Sequence, residues 1–243
     1  MRFIVTRPEQ DAGKLIAKME RAGHSALAAP LIRIRNMPGI TPPANPWQAI
    51  LVTSANSIRA LVALPGIEDL LTVPVLAVGP ASTKAAQSAG FEDIRTADGD
   101  LNALTNLALS ELDPAGAPVF YPSGTVISGD LKGKLEDAGF SCTRVPLYDA
   151  DPASDLPDEV IQELKGGTVD GVVLYSPRTA RIWAKCLAEA DLTNLASSLT
   201  HCCLSTSVAE ALTTSIEPGV KLKNLTIAPE PNEESLLRAI GAV

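Results

Sequence analysis

Residues 1–34, MRFIVTRPEQDAGKLIAKMERAGHSALAAPLIRI, recur 116 positions downstream, without a gap, as APVFYPSGTVISGDLKGKLEDAGFSCTRVPLYDA at 117–150. Phe3-Ile4-Val5 falls on Val119-Phe120-Tyr121, Leu15 on Leu131, Met19 on Leu135, Gly23 on Gly139 and Pro30-Leu31 on Pro146-Leu147. A second pair of segments is offset by 122: Ile50-Leu51-Val52-Thr53-Ser54 matches Val172-Val173-Leu174-Tyr175-Ser176, and Arg59 matches Arg181. An internal repeat of this size predicts two similar α/β halves. Two halves imply a cleft between them, the expected place for small-molecule chemistry.

Outward from the repeat, short apolar runs alternate with longer amphipathic stretches. The runs at 2–6, 26–29, 49–53, 74–78, 93–95, 118–121, 142–146, 169–174, 201–204 and 224–227 predict ten strands, five per half. Between them lie helices such as 8–22, where Ala12, Leu15, Ile16, Met19 and Ala22 recur at helical spacing. Thr6-Arg7-Pro8-Glu9 has the form of a capping box with proline in the first turn. Gly23, Gly90 and Gly139 each stand where a left-handed residue would close a helix. This rhythm predicts doubly wound parallel sheets.

The repeated parts run in the order 2–34, 49–95, 118–148 and 170–227. Two pairings fit: tandem domains, or a central domain framed by the first and last parts. Periodicity does not choose between them. Proline-rich links at Asn36–Pro46 and Asp149–Pro157, flanking 47–148, lean towards that stretch as an insertion.

Composition narrows the function. Hydrophobic residues make up 46% of the 243 and aromatics 4%, so the core is aliphatic, as suits helices on parallel sheets. A net charge of −8 with no basic run argues against nucleic acid as a partner. No apolar run reaches the roughly 20 residues of a membrane span, and the chain enters a strand at Arg2-Phe3-Ile4-Val5 with no signal-peptide core. A cytoplasmic protein is expected. Cys142, Cys186, Cys202 and Cys203 form no C-x-x-C and, with two histidines, no metal set; buried reduced thiols are expected instead. His24 and His201 read as structural.

Short polar turns follow the strands: Thr6-Arg7-Pro8, Thr53-Ser54-Ala55-Asn56, Gly79-Pro80-Ala81-Ser82-Thr83, Pro122-Ser123-Gly124-Thr125, Tyr175-Ser176-Pro177-Arg178 and Ser205-Thr206-Ser207. Ligands of open parallel sheets bind beyond the carboxyl ends of the strands. Each turn opens a helix, so hydroxyls and amide N–H groups face that space. N-capping alone would also explain the hydroxyls. The G-x-G-x-x-G, G-x-x-x-x-G-K-[ST] and G-x-S-x-G signatures are absent. Tyr148, at the end of an apolar run, is either a packing tyrosine or a phenol able to donate a proton. Hydroxyls, amides and one phenol suit chemistry in which orientation outweighs strong acid–base work.

These motifs together resemble uroporphyrinogen-III synthase over nearly the whole chain. The resemblance rests on Val5-Thr6-Arg7-Pro8, Ala29-Pro30-Leu31-Ile32, Val52-Thr53-Ser54-Ala55-Asn56, Ala77-Val78-Gly79-Pro80-Ala81-Ser82-Thr83 and Ala89-Gly90-Phe91. It continues through Phe120-Tyr121-Pro122-Ser123-Gly124, Val145-Pro146-Leu147-Tyr148, Leu174-Tyr175-Ser176-Pro177-Arg178 and Ile227-Ala228-Pro229-Glu230-Pro231. It implies two flavodoxin-like domains joined by a two-stranded linker, the second inserted in the first: 1–34 with 150–243, 47–148, and linker regions 35–46 and 149–157. It implies cyclisation of hydroxymethylbilane, a linear tetrapyrrole, to uroporphyrinogen III with inversion of ring D and loss of water. No metal or organic cofactor is implied.

By the same resemblance Tyr148 assists departure of the hydroxyl, and Thr53, Ser54, Ser82, Ser176 and Ser207 line the substrate cleft. On local grounds Arg7 and Arg178 are candidate carboxylate contacts, and Ser123 joins the substrate-binding set. The expected molecule is a monomer that takes a small-molecule tetrapyrrole, with transient contact to the upstream bilane-forming enzyme. The sequence departs from the family at Ser205-Thr206-Ser207-Val208 and at Pro231-Asn232. The alternatives are a non-catalytic two-lobed binding protein and a degenerate regulatory relative.

Overall fold

A computed structural model describes residues 1–41 and 46–242. Within the proline-rich link expected over 35–46, Pro42 to Asn45 lie outside the described residues, as does Val243 at the end of the expected first domain. From the N-terminus the elements run β1 (Arg2–Val5), α1 (Glu9–Arg21), β2 (Ser25–Ala28), β3 (Ile32–Asn36), β4 (Ala49–Val52), α2 (Ala55–Val62), β5 (Val75–Ala77), α3 (Pro80–Ala89), β6 (Ile94–Thr96) and α4 (Leu101–Glu111). Then come β7 (Val119–Gly124), α5 (Leu131–Asp137), β8 (Cys142–Pro152), α6 (Asp158–Lys165), β9 (Gly171–Leu174) and α7 (Pro177–Glu189). The chain closes with β10 (Thr200–Cys203), α8 (Thr206–Ser215), β11 (Asn224–Ile227) and α9 (Glu233–Ala239). The chain divides into two compact units, Met1–Arg33 with Asp151–Val243 and Ile34–Ala150.

The first unit holds one sheet, β11-β10-β9-β1-β2, with every neighbouring pair parallel. Counted in chain order within the unit this is 2-1-3-4-5, the flavodoxin-like arrangement, and its switch point lies between β1 and β9. Alternation along the central strands builds both faces. Ile4, Val172, Leu174 and Cys203 pack with Leu164, Trp183, Leu187 and Leu212, while Phe3, Val5, Val173 and Cys202 pack with Leu15, Met19, Leu236 and Leu237. Each large apolar side chain buried in this way contributes about 1.5–3 kcal/mol before entropy is counted. Gly171 is needed where β9 runs closest to its neighbours. A Cβ there would lie 2.6 Å from the Thr200 carbonyl oxygen and 3.1 Å from the Phe3 ring.

The second unit holds a six-stranded sheet, β3-β8-β7-β4-β5-β6. Strands β8 to β6 are parallel neighbours in the same spatial order as the first unit, once β7 and β8 are matched to β1 and β2 and β4, β5 and β6 to β9, β10 and β11. The two repeat offsets are therefore the two parts of one sheet, entered by the chain at different strands. The switch point here lies between β4 and β7. Ile50, Val52, Val75 and Phe120 pack with Ile58, Leu61 and Ala86 on one face, and Ala49, Leu51, Val119 and Tyr121 pack with Leu104, Ala108, Leu131 and Leu135 on the other.

Strand β3 was not among the expected strands. Its Ile32-Arg33-Ile34-Arg35 alternation is the pattern of an edge strand with one exposed side, and it pairs with a β8 that continues through Pro146 to Pro152. Ala153 N–H donates to the Leu31 carbonyl (3.0 Å) and Met37 N–H to the Leu147 carbonyl (2.8 Å), so the two strands run in opposite directions. Asp149 to Pro152, expected within the proline-stiffened linker region, are the end of β8. The capping box is also corrected. Helix α1 starts from Pro8 without a side-chain cap, because the Thr6 hydroxyl donates instead to the Val173 carbonyl on β9 at 2.7 Å.

Candidate functional site

Both sheets end in polar turns that lead into helices, and each unit presents its own set. In the first unit, Arg7 follows β1 and lies over the ring of Tyr175, which follows β9, at 4.6 Å from its centroid. The guanidinium pairs with Glu233 Oε2 at 2.6 Å and with Asp11 Oδ2 at 3.4 Å, and Glu233 also binds Lys18. Tyr175 donates towards the same Glu233 carboxylate at 3.5 Å. Burial, then the charge of Glu233, hold the Tyr175 phenol well above its ordinary value, so it acts as a neutral donor. Arg7, expected as a carboxylate contact, thus already holds carboxylates of its own chain. Ser176 caps α7, accepting from Thr179 N–H at 3.1 Å, and Arg178 follows in the first turn, partly exposed. Ser207 is exposed at the start of α8, its hydroxyl 2.9 Å from that of Ser205.

In the second unit the turn after β4 brings Thr53 to 3.4 Å from the hydroxyl of Tyr121 on β7. Ser54 caps α2 by accepting from Asn56 N–H at 3.1 Å. Ser82 is buried in the first turn of α3, which opens with Pro80 after Gly79. Ser123 lies deeper. Its side chain is wholly buried, donating to the Gly124 carbonyl (3.0 Å) and accepting from Arg144 Nε (2.9 Å). It supports the turn from within.

Tyr148 lies on β8 opposite Gly124, its ring packed in the apolar cluster with Trp47, Phe120 and Leu147. The residue is only 7% exposed, and its hydroxyl makes no hydrogen bond among the described residues. A donor held in a fixed place with its proton uncommitted can act on an incoming group. Two neighbours went unrecognised as site residues. Tyr121 lies across the switch point from Thr53, its phenol pushed above its ordinary value by burial. Arg144 ties down the turn after β7. Strand alternation alone places both residues in the sheet, and their partners lie on other strands.

Among the described residues no group of three or more His, Cys, Asp or Glu side chains could hold a metal ion, and no helix is long and apolar enough to cross a membrane. All four cysteines are buried and free.

Comparison with known proteins bears on what such edges serve. The family model described as uroporphyrinogen-III synthase HemD matches residues 13–238. The uroporphyrinogen-III synthase of Chlorobaculum parvum is 24% identical over 207 residues, covering 79% of this chain and 81% of that protein. The porphyrin biosynthesis protein HemD of Ruminiclostridium josui is 22% identical over 221 residues, covering 86% of this chain and 43% of that protein. Among solved structures, the uroporphyrinogen-III synthetase of Helicobacter pylori aligns with a TM-score of 0.66 at 16% identity, covering 99% of this chain and 98% of the other. A mutant uroporphyrinogen III synthase from the extremely thermophilic bacterium Thermus thermophilus aligns at 0.54 and 18%, covering 99% and 97%. At such identities the solved structures speak for the fold.

Proposed function

The chain belongs to the uroporphyrinogen-III synthase family, and from that premise we propose that it cyclises hydroxymethylbilane to uroporphyrinogen III, inverting ring D and releasing water. The observation that carries the reading is the family match over residues 13–238, nearly the whole chain. The geometry is consistent with it. A flexible polycarboxylate wants many weak donors, and the helix starts at Ser54, Gly79 and Ser176 gather hydroxyls at the ends of the strands, with the Asn56 and Thr179 amides already taken by the capping serines.

In this reading Tyr148 donates its proton as the C–O bond of the substrate's hydroxymethyl group breaks, so the oxygen leaves as water. The cation left behind is captured by a pyrrole carbon of ring D, and rearrangement through a spiro intermediate closes the macrocycle. The proton released on closure restores the phenol. Thr53, Ser54, Ser82, Ser176 and Ser207 serve as hydroxyl contacts, and Arg7 and Arg178 as cationic ones. Orientation is the larger contribution, because the same substrate closes unaided to the uninverted isomer. Selectivity then rests on transition-state preference, at about 1.4 kcal/mol per tenfold. Four buried, free thiols support a reducing, cytoplasmic setting.

The test is a coupled assay in which hydroxymethylbilane is generated in situ and the oxidised products are separated by isomer on HPLC. A dominant type III isomer, absent without the protein, supports the reading. Type I alone, from folded protein, overturns it.

A further inference from the structure

We propose that Arg144 and Gly124 are positioning residues that set the place of the Tyr148 phenol. This rests on the reading of Tyr148 as the proton donor and says how this chain holds it there.

The argument starts from Pro146. Proline has no N–H to give to a ladder, and within sheets it collects at edges and bulges. The β7–β8 register runs evenly from Val119↔Cys142 to Ser123↔Pro146, then slips, so that Gly124 faces Tyr148 and Leu147 is the extra residue. A bulge of this kind re-aims the side chain that follows it. Here it lays the Tyr148 ring over Gly124. A Cβ on Gly124 would lie 3.0 Å from Tyr148 Cε2, 3.1 Å from Cζ and 3.3 Å from the hydroxyl oxygen. Gly124 does not have a positive φ, so it is the ring, not the backbone, that requires glycine.

The surface under the ring is itself held. Arg144 Nη2 donates to the carbonyls of Gly124 (2.8 Å) and Thr125 (2.9 Å), and Nε donates to Ser123 Oγ (2.9 Å). Thr125 N–H donates to the Tyr148 carbonyl at 2.9 Å, which ties the turn back to the residue it supports. Arg144 is half-buried and, among the described residues, has no carboxylate partner. Its planar fork is spent on neutral oxygens of one turn. A lysine also carries three donors, but all on one nitrogen at the end of a flexible stem, so it cannot reach at once the oxygens that Nε and Nη2 serve from fixed, separate places. The use of a cation in this way indicates that the shape of the turn matters more than its charge.

The experiment measures kcat and KM by the isomer-resolved assay for Arg144→Gln, Arg144→Lys, Gly124→Ala and Tyr148→Phe. The two positioning changes are also made in the Tyr148→Phe background, with circular dichroism to confirm folding. Arg144→Gln and Gly124→Ala should each lower kcat about tenfold with KM within about twofold, as displacement of a catalytic group by a fraction of an ångström would. Arg144→Lys should not rescue. In the Tyr148→Phe background either change should alter kcat by less than about twofold, because the group it positions is gone. Equal losses in both backgrounds, or rescue by lysine with KM as the affected constant, would overturn the proposal while leaving Tyr148 as the acid. A Tyr148→Phe protein with undiminished kcat would show that the underlying reading had failed, and the positioning role with it. If Arg144→Gln does not fold, Gly124→Ala in the two backgrounds decides.

Discussion

Lowering the pH should weaken the first unit through a single side chain. His201 sits on β10, an interior strand next to the β11 edge, in register with Val172 on one side and Leu225 on the other. It has no exposed surface, and neither ring nitrogen makes a hydrogen bond of good geometry among the described residues, although the Leu199 backbone lies close enough to favour the charged form slightly. Burial of an imidazolium there lowers its pKa from 6.5 to about 4, against a smaller opposing effect of the Leu199 backbone. The folded value lies below the unfolded one. Between them the unfolded chain takes up a proton that the folded chain refuses, so stability falls as pH drops through this window and levels off below about 4. From about pH 7.5 to about pH 4.5 the loss is on the order of 2–3 kcal/mol, a large fraction of the 5–15 kcal/mol typical of a domain. Urea unfolding followed by the fluorescence of Trp183, wholly buried in the same unit, reads this out in the parent and in His201→Leu. His24 is present in both proteins and cancels. The stability difference between the two should move by that amount across the range, in favour of the variant at low pH. A difference that stays constant to within about 0.5 kcal/mol would refute the assignment.

Tyr148→Phe should lower kcat by about a hundredfold, the low end of what general acid catalysis supplies. Thr53→Ala and Ser82→Ala should each cost about two- to tenfold, the worth of one hydrogen bond among many. A folded but inactive Thr53→Ala protein would contradict the distributed site. Gly171→Ala should destabilise the first unit by about 1–3 kcal/mol, because the added methyl meets the Thr200 carbonyl and the Phe3 ring; a melting temperature equal to the parent's would count against that packing. Burial pushes the thiols of Cys142 up to about 11 and of Cys202 and Cys203 up to about 12. An aromatic disulfide reagent at mildly alkaline pH should therefore label the native protein slowly and all four cysteines once denaturant is added. Rapid labelling of the native state would exclude this burial.

The sequence by itself determined the local periods and the family. Strands buried on both faces, such as Ala49–Val52 and Gly171–Leu174, read as unbroken apolar runs, and α1 declares itself through Ala12, Leu15 and Met19. Gly23 and Gly139 adopt the left-handed conformation at equivalent places in the repeat. Such signals lie within a few residues of one another, and so do the motifs that carry the family resemblance. Which strand lies beside which is a contact between distant residues, and periodicity left both pairings of the repeat open. Tertiary structure decided it by placing β4 beside β7 and β9 beside β1. It likewise sent the Thr6 hydroxyl to Val173, turned Ser123 inward and gave Arg7 to Glu233. In the sequence Pro146 reads as a repeat partner of Pro30, and only the partner strand shows that the ladder slips at Gly124 and seats Tyr148 there. A side chain's bonding capacity is written in its residue type, whereas the partner that takes it up is set by packing across strands far apart in the chain.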